Sequence, residues 1–179
     1  MKGVVFTEFL QMVDEVFSPE MTEMIIVDSD VESKGVYTTV GTYPHTEILA
    51  LVVALHKRTG AEVSDLVHAF GKYLFISFTK HYPHFFENQS SAFEFLKGVD
   101  TYIHVEVNKL YPEANTPSVK AEEKGEGELE INYKSECPFA ELANGLLEAC
   151  IEHFQQDIKV ERPFTGEDGC SAQFRLLQA

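Results

Sequence analysis

The amino-acid sequence predicts an α+β fold, with helices in the first part of the chain and an antiparallel sheet toward its end. Up to about residue 110, apolar residues recur every three or four positions, which is typical of amphipathic helices. After residue 128, apolar and polar residues alternate in short runs, which is typical of half-buried strands. Helices followed by strands indicate the α+β class. A length of 179 residues suits a single domain.

The first part of the chain contains four segments with helical periodicity. Helices are predicted over residues 2–17, 20–27, 46–55 (after Pro44 and ending near Gly60) and 62–80. One apolar face of the first helix is made of Val5, Phe9, Met12, Val13 and Val16. Between the second and third helices lies a polar, turn-rich segment, in which residues 35–40 have the pattern of an extended piece. Gly71 lies inside the last helix, where a helix crossing or a large packed group would suit it.

A further helix is predicted around His104. Ser91 and Glu94 have the Ser-x-x-Glu spacing of a capping box, which starts a helix that runs through His104. Its apolar stripe is formed by Leu96, Val99, Ile103, Val107 and Leu110. His104 lies at the rim of this stripe, where one ring nitrogen can reach a buried ligand and the other a polar partner. A hydrogen-bonded structural histidine fits the same position, and Ile103, Val105 and Val107 also alternate as a short strand would.

The last third of the chain is predicted to form strands before and after one helix. Residues 118–128 are charged and contain glycine, which predicts a loop. Leu129, Ile131 and Tyr133 alternate with polar residues in a strand, and Pro138 opens a helix that extends to about Gln156. Strands are then predicted at residues 158–160 and around Ala172, Phe174 and Leu176, separated by a turn at 165–169. A sheet of three or four strands follows from this order.

Net charge and cysteine content limit the partners and the cellular compartment that can be expected for this chain. The net charge of −15 would repel nucleic acid and anionic membranes, so neither is an expected partner. No run approaches the ~18 apolar residues of a membrane span, and no targeting signal is visible. Three cysteines, an odd number, suit reduced thiols in the cytosol better than a disulfide framework.

Other chemical motifs are weak. His81 and His84 have a His-x-x-His spacing, but Pro83 between them disturbs the geometry of a metal pair. Cys150 and His153 are better explained as a buried thiol and a surface histidine than as zinc ligands. Glycine-rich phosphate loops and Ser-His-Asp spacings are missing from the sequence. No enzyme activity is therefore expected.

Several segments together resemble the H-NOX family, the haem-nitric oxide/oxygen-binding domains related to the haem domain of soluble guanylate cyclase. The similar segments are Met1 to Phe6, Ala69-Phe-Gly71, Ile103 to Tyr111, Asn115-Thr-Pro117, Tyr133-Lys-Ser135 and Leu142 to Leu147. These segments are spread over nearly the whole chain and occur in the same order as in the family. It implies one haem-binding domain over residues 1–179, in which an N-terminal helical part packs on a C-terminal antiparallel sheet with a haem pocket between them.

The resemblance also implies residue roles. His104 would be the axial ligand of the iron of haem b, and Tyr133 and Ser135 would hydrogen-bond the haem propionates. The family motif is Tyr-x-Ser-x-Arg, and Cys137 stands where the arginine is expected. A thiol cannot make the charge-assisted bond of an arginine to a carboxylate. Pro117 would press on the porphyrin and keep it distorted.

The pocket that the resemblance implies is apolar on the side where gas binds. Its residues there would be Val5, Phe9, Leu74 and Leu142, with Leu142 at the position where oxygen-binding relatives have a tyrosine. None of these side chains can donate a hydrogen bond, which bound O₂ needs more than NO or CO does.

The implied function is a sensor selective for nitric oxide over oxygen. NO would weaken the bond between His104 and iron, and the resulting change would regulate a partner signalling enzyme. Free-standing bacterial members commonly work with a histidine kinase or a cyclic-di-GMP enzyme. The alternative is a haem-poor or haem-free interaction protein that responds to oxidation through its thiols, and Cys137 is the feature that favours it.

Overall fold

The first part of the chain folds into four helices, as predicted. The structure is a computed structural model and describes residues 1–178. The helices are α1 (Gly3–Val16), α2 (Pro19–Ser29), α3 (His45–Thr59) and α4 (Val63–His81). Ser18 caps α2 by accepting a hydrogen bond from the N–H of Met21, and Gly60 ends α3 with a positive φ of 75°.

The second part begins with the broken helix that contains His104. Its pieces are α5 (Ala92–Gly98), a π-helix (Val99–Ile103) and α6 (His104–Leu110). The elements that follow are β1 (Ser118–Gly125), β2 (Glu128–Lys134), α7 (Ala140–His153), β3 (Ile158–Thr165) and β4 (Ser171–Gln178). The predicted capping box is present in part: Ser91 Oγ accepts from the N–H of Glu94, but the Glu94 carboxylate accepts from the N–H of Ser90 and not from that of the cap residue Ser91.

The four strands form one antiparallel sheet in the order β1-β2-β4-β3. The register pairs Ile131 with Phe174 and Tyr133 with Ala172. The buried face of the two central strands consists of Leu129, Ile131, Tyr133, Ala172, Phe174 and Leu176. The predicted alternation of the two central strands is therefore confirmed, and their apolar face packs against α7 and α5.

Four predictions of local structure are wrong. Residues 118–125 form the strand β1 instead of a loop, and residues 35–40, predicted as an extended piece, form no strand and have turns at residues 35 and 39–40. Val16 and Leu110, which were expected on apolar faces, are 63% and 72% exposed. Each lies at the last residue of its helix, where the chain turns away from the core.

Two hydrophobic clusters make up the interior. One lies between the sheet and α5 and α7, and the other lies among α1, α3 and α4. The helices α4 and α7 cross where Gly71 meets Gly145, and their Cα atoms are so close that a Cβ on either glycine would collide with the backbone of the other helix. The helix crossing suggested for Gly71 is thus confirmed. No helix within residues 1–178 has the length and apolar character needed to cross a bilayer.

Candidate functional site

His104 is the first residue of α6 and follows directly on the π-helix. Its side chain is only 18% exposed, and its Nδ1 lies 2.8 Å from Oδ1 of Asp100. A neutral imidazole carries one proton, and a carboxylate can only accept it. The Nδ1–H of His104 therefore points at Asp100, and the lone pair of Nε2 is free for a metal ion.

Asp100 uses both of its carboxylate oxygens. Oδ1 accepts from His104, while Oδ2 accepts from the backbone N–H of Val119 at 2.9 Å and from the Ser118 hydroxyl at 3.3 Å. One carboxylate thus joins His104 to the beginning of β1. Hydrophobic periodicity gives no sign of this residue, although an aspartate four positions before a helical histidine is a usable signal.

The turn that precedes His104 is wider than an α-helical turn. The N–H of His104 bonds to the carbonyl of Val99, five residues earlier, as in a π-helix. Such turns are rare in proteins as a whole, but many of those that occur lie at functional sites. The extra residue changes the direction of the side chains that follow. Every residue from Val99 to Leu110 remains half-buried or exposed. The segment that carries His104 is therefore loosely held by packing.

Pro117 lies beside His104. The two residues line an open cavity of about 270 Å³ together with Asp100, Val105, Asn108, Thr116 and Ser118. Pro117 ends the connection from α6 and directly precedes β1. The structure therefore brings the predicted axial ligand and the predicted porphyrin contact to the same place.

The four apolar residues predicted for the gas-binding side belong to one hydrophobic cluster. Phe9 and Leu74 are fully buried, while Val5 and Leu142 are partly buried against the same group. The ring of Phe9 meets the ring of Phe70 edge to face at 5.2 Å between centroids. None of these side chains carries a hydrogen-bond donor.

The predicted propionate contacts lie at the end of β2. Burial raises the pKa of Tyr133 to about 12. Like that of any tyrosine, its hydroxyl is protonated at neutral pH and can donate a hydrogen bond. Ser135 follows the strand, and its Oγ accepts from the N–H of Cys137 at 3.0 Å. Tyr133 lines a second cavity, of about 580 Å³, that shares Ser118 with the cavity at His104. His104 and Tyr133 therefore lie at separate cavities that meet at Ser118.

The three thiols are unpaired and have raised pKa values. Burial raises the pKa of Cys137 and of Cys150, and partial desolvation and the Asp168 carboxylate raise that of Cys170. A raised pKa means less thiolate and therefore a less reactive sulfur. Among residues 1–178, no three His, Cys, Asp or Glu side chains are grouped as metal ligands would be. His81 instead contacts Ser77, with Nδ1 3.0 Å from Oγ.

Comparison with known proteins identifies the family. Residues 2–162 match the model of the haem-NO-binding family. The chain belongs to the H-NOX family. Among curated proteins, none matches it. H-NOX domains bind haem, so haem is the cofactor of this chain.

Solved H-NOX structures share the whole fold. The unliganded Fe(II) H-NOX protein from K. algicida is 35% identical, with a TM-score of 0.92 and coverage of 100% of this chain and 97% of that one. The H-NOX protein from Shewanella woodyi, solved in the Fe(II)CO state with IWP-051 bound, is also 35% identical, with a TM-score of 0.85 and coverage of 100% and 95%. An H-NOX protein from S. oneidensis in the Fe(II)NO state, at 23% identity, has a TM-score of 0.92 with coverage of 100% and 99% and shows the same fold.

The residues at the H-NOX site fit a haem in the chemistry of their donors. A neutral imidazole with a free Nε2 suits iron, and the carboxylate behind it holds the ring in the required tautomer. The hydroxyls of Tyr133 and Ser135 can donate hydrogen bonds to carboxylates. The side chains of Val5, Phe9, Leu74 and Leu142, called the apolar wall below, offer an apolar surface. Tyr133 and Ser135 match the Tyr-x-Ser-x-Arg motif, but Cys137 stands at the position of its arginine and offers no charged hydrogen-bond donor.

Proposed function

We propose that this H-NOX domain is a haem-based sensor selective for nitric oxide over oxygen, with His104 as the axial ligand of the iron. The observation that carries the proposal is the hydrogen bond from His104 to Asp100. It fixes Nδ1 and leaves Nε2 for the metal, on a helix that is only half-buried.

Selectivity for NO is supported by the apolar wall. Bound O₂ carries partial negative charge and is stabilised by a hydrogen-bond donor, whereas NO and CO need one less. The side chains of Val5, Phe9, Leu74 and Leu142 supply no donor. We therefore expect NO and CO to bind, and no stable complex with O₂ to form.

The response to NO depends on the mobility of the helix around His104. A bound haem iron would supply the position at which the gas binds. We expect NO to weaken or break the bond that His104 would make to the iron. His104 is then held by Asp100 and by its own half-buried helix, so residues 99–110 can shift against the rest of the domain. Pro117 lines the same cavity and would contact the porphyrin from there.

Tyr133 and Ser135 hold the propionates through their hydroxyls. Cys137 replaces the motif arginine, and its thiol makes no charge-assisted bond to a carboxylate. We expect the haem of this domain to be released faster than from a domain with the arginine. Cys137→Arg should slow haem transfer to an acceptor such as apomyoglobin, and Cys137→Met is the control for side-chain size.

The output is regulation of a separate signalling protein, such as a histidine kinase or a cyclic-di-GMP enzyme, and the domain itself catalyses no reaction. Three unpaired thiols suit the reducing cytosol. The haem-free thiol switch is not favoured, because the pKa of each thiol is raised and a reactive cysteine needs a lowered one.

The experiment that tests the axial ligand is an absorption spectrum of the reduced protein and of His104→Gly. We expect the wild-type protein to show a Soret band that shifts with NO, and His104→Gly to lose haem unless imidazole is added. His84→Gly, which removes an exposed histidine, is the control. Retention of an unchanged Soret band by His104→Gly without imidazole would exclude His104 as the ligand.

Selectivity is tested by placing a donor in the apolar wall. Leu142→Tyr should give a stable complex with O₂ in air, and Leu142→Phe, which adds a ring without a hydroxyl, should not. The spectrum of the reduced proteins after exposure to air reports the difference. A stable O₂ complex in the wild-type protein would contradict the proposed selectivity while leaving the haem site intact.

A further inference from the structure

Asp100 connects three parts of the fold. It belongs to the π-helix, it accepts from His104 at the start of α6, and it accepts from Ser118 and Val119 at the start of β1. The sequence separation between Asp100 and Val119 is 19 residues, so the second contact closes the whole connection through Pro117. Few other hydrogen bonds tie this segment to the sheet, and its side chains are not fully buried. The carboxylate is therefore a main tether of the His104 turn.

Only a carboxylate can make both contacts at once. Its two oxygens are acceptors, so Oδ1 can face the Nδ1–H of His104 while Oδ2 faces the N–H of Val119. An asparagine has one acceptor oxygen and one donor nitrogen. In the place of Asp100, its amide nitrogen would oppose either the N–H of Val119 or the Nδ1–H of His104, and one contact would be lost.

We propose that Asp100 is the positioning residue of His104 and that it links the position of His104 to the beginning of β1. This inference rests on the proposed function, in which His104 binds the iron. Asp100 keeps the proton on Nδ1 and makes Nε2 a stronger ligand. When His104 leaves the iron, its hydrogen bond carries the displacement to Asp100, and Oδ2 carries it to Val119.

The strand that receives this displacement is at the edge of the sheet. β1 pairs with β2 on one side, and the order β1-β2-β4-β3 leaves its other side without a neighbouring strand. Five of its eight residues are exposed. A shift of Val119 can therefore move the edge strand without breaking a central pairing of the sheet. The tether thus gives a physical route from the iron ligand to the outer surface.

The test compares Asp100→Asn and Asp100→Ala with the matched control Glu106→Gln. Glu106 is a carboxylate on α6, the helix that begins with His104; it pairs with Lys109 and does not line the cavity at His104. In the reduced haem-loaded protein, resonance Raman measures the iron–histidine stretching frequency. We expect a lower frequency in both Asp100 variants, roughly 10- to 100-fold weaker haem retention, and no change in Glu106→Gln.

The link to β1 has its own measurement. Hydrogen exchange at the amide of Val119 should be faster in Asp100→Ala than in the wild-type protein, because its acceptor is removed. NO should also speed this exchange in the wild-type protein, and the effect of NO should disappear in Asp100→Ala. If NO leaves the exchange at Val119 unchanged in the wild-type protein, the link from His104 to β1 is overturned.

The positioning role and the proposed function fail in different ways. An iron–histidine band that is lost in His104→Gly but unchanged in Asp100→Asn and Asp100→Ala would overturn the positioning role and leave His104 as the ligand. A wild-type protein without any iron–histidine band would instead overturn the assignment of His104. Asp100→Glu, which keeps both acceptor oxygens on a longer side chain, should recover part of the frequency lost in Asp100→Asn.

Discussion

The crossing of α4 and α7 and the broken helix around His104 are held in opposite ways. At the crossing, Gly71 and Gly145 bring two helix backbones into direct contact, and α4 buries seven of its residues. Around His104, the π-helix and α6 bury none of their residues 99–110. Their polar ties run mainly through Asp100 to His104, Ser118 and Val119. The crossing is therefore held by close packing, and the helix around His104 is held mainly by the hydrogen bonds of Asp100.

The difference separates the scaffold from the moving part. Close packing makes large shifts costly, because every displaced side chain loses contacts on several sides. A helix without buried side chains opens at a lower free energy, and regions that respond to ligands are drawn from such segments. The segment that carries His104 is thus suited to move, while the crossing of α4 and α7 holds the apolar wall in place.

The largest expected change in the free energy of unfolding comes from truncating the buried ring of Phe9, compared with truncating the exposed Leu110. Phe9 is fully buried in the packed region, whereas Leu110 is 72% exposed at the end of α6. Phe9→Ala should lower the free energy of unfolding by about 3–5 kcal/mol, and Leu110→Ala by less than about 0.5 kcal/mol. Urea denaturation at equal haem loading measures both. A loss at Leu110 comparable to that at Phe9 would show that α6 is packed after all.

The sequence predicts the packed region well, since its residues follow the helical period. Phe9, Leu74 and Gly71 are in the predicted helices, Phe9 and Leu74 are buried in one hydrophobic cluster, and Gly71 lies at a helix crossing. The edge strand β1 was predicted as a loop because its residues, such as Lys120, Glu122 and Glu123, are polar or charged. An edge strand is fixed by hydrogen bonds to its neighbour, and single-sequence periodicity does not register them.

The candidate site was predicted only in part, for a similar reason. His104 and Pro117 line one cavity, and Tyr133 and Ser135 lie together at the end of β2, while the roles that the family resemblance implies for them stay predictions. The second contact of Asp100, to Val119, joins residues that are distant in sequence and depends on the π-helix. Hydrophobic periodicity cannot locate a one-residue widening of a helix, so this tether was visible only in the structure.

Tyr133, on β2, belongs to the hydrophobic cluster in which the sheet packs against α7, and it is a titratable probe of that packing. Burial raises its pKa from 10.0 to about 12, so between these values the unfolded chain releases a proton that the folded chain keeps. This contribution to stability is present below pH 10 and is lost as the pH rises toward 12. We expect the loss to be smaller in Tyr133→Phe than in the wild-type protein by at most roughly 2–3 kcal/mol, since one pKa unit is worth about 1.4 kcal/mol. Denaturation midpoints at pH 8 to 12 measure it, and equal slopes for both proteins would refute a buried, neutral Tyr133.

Glycine-to-alanine substitutions measure close contact in the two regions directly. A Cβ at Gly145 would collide with the carbonyl of His68 and lie 3.0 Å from Cα of Gly71, whereas a Cβ at Gly98 would have no neighbour within 4 Å. Gly145→Ala should cost about 1–3 kcal/mol of stability, and Gly98→Ala should be neutral or stabilising by up to about 1 kcal/mol. Thermal unfolding of the two variants gives the comparison. Equal effects would mean that the helices α4 and α7 can separate freely.

The smallest expected effect is at the start of the tethered helix. Ser91 Oγ accepts from the N–H of Glu94 and caps α5, and Ser91→Ala should cost about 1 kcal/mol. Because α5 leads directly into the π-helix, the cost should appear mainly as faster amide exchange over residues 92–104 and only weakly in α4. Ser18→Ala removes the corresponding cap of α2 and should leave exchange around His104 unchanged. Faster exchange throughout α4 in Ser91→Ala would show that the two regions open as one unit.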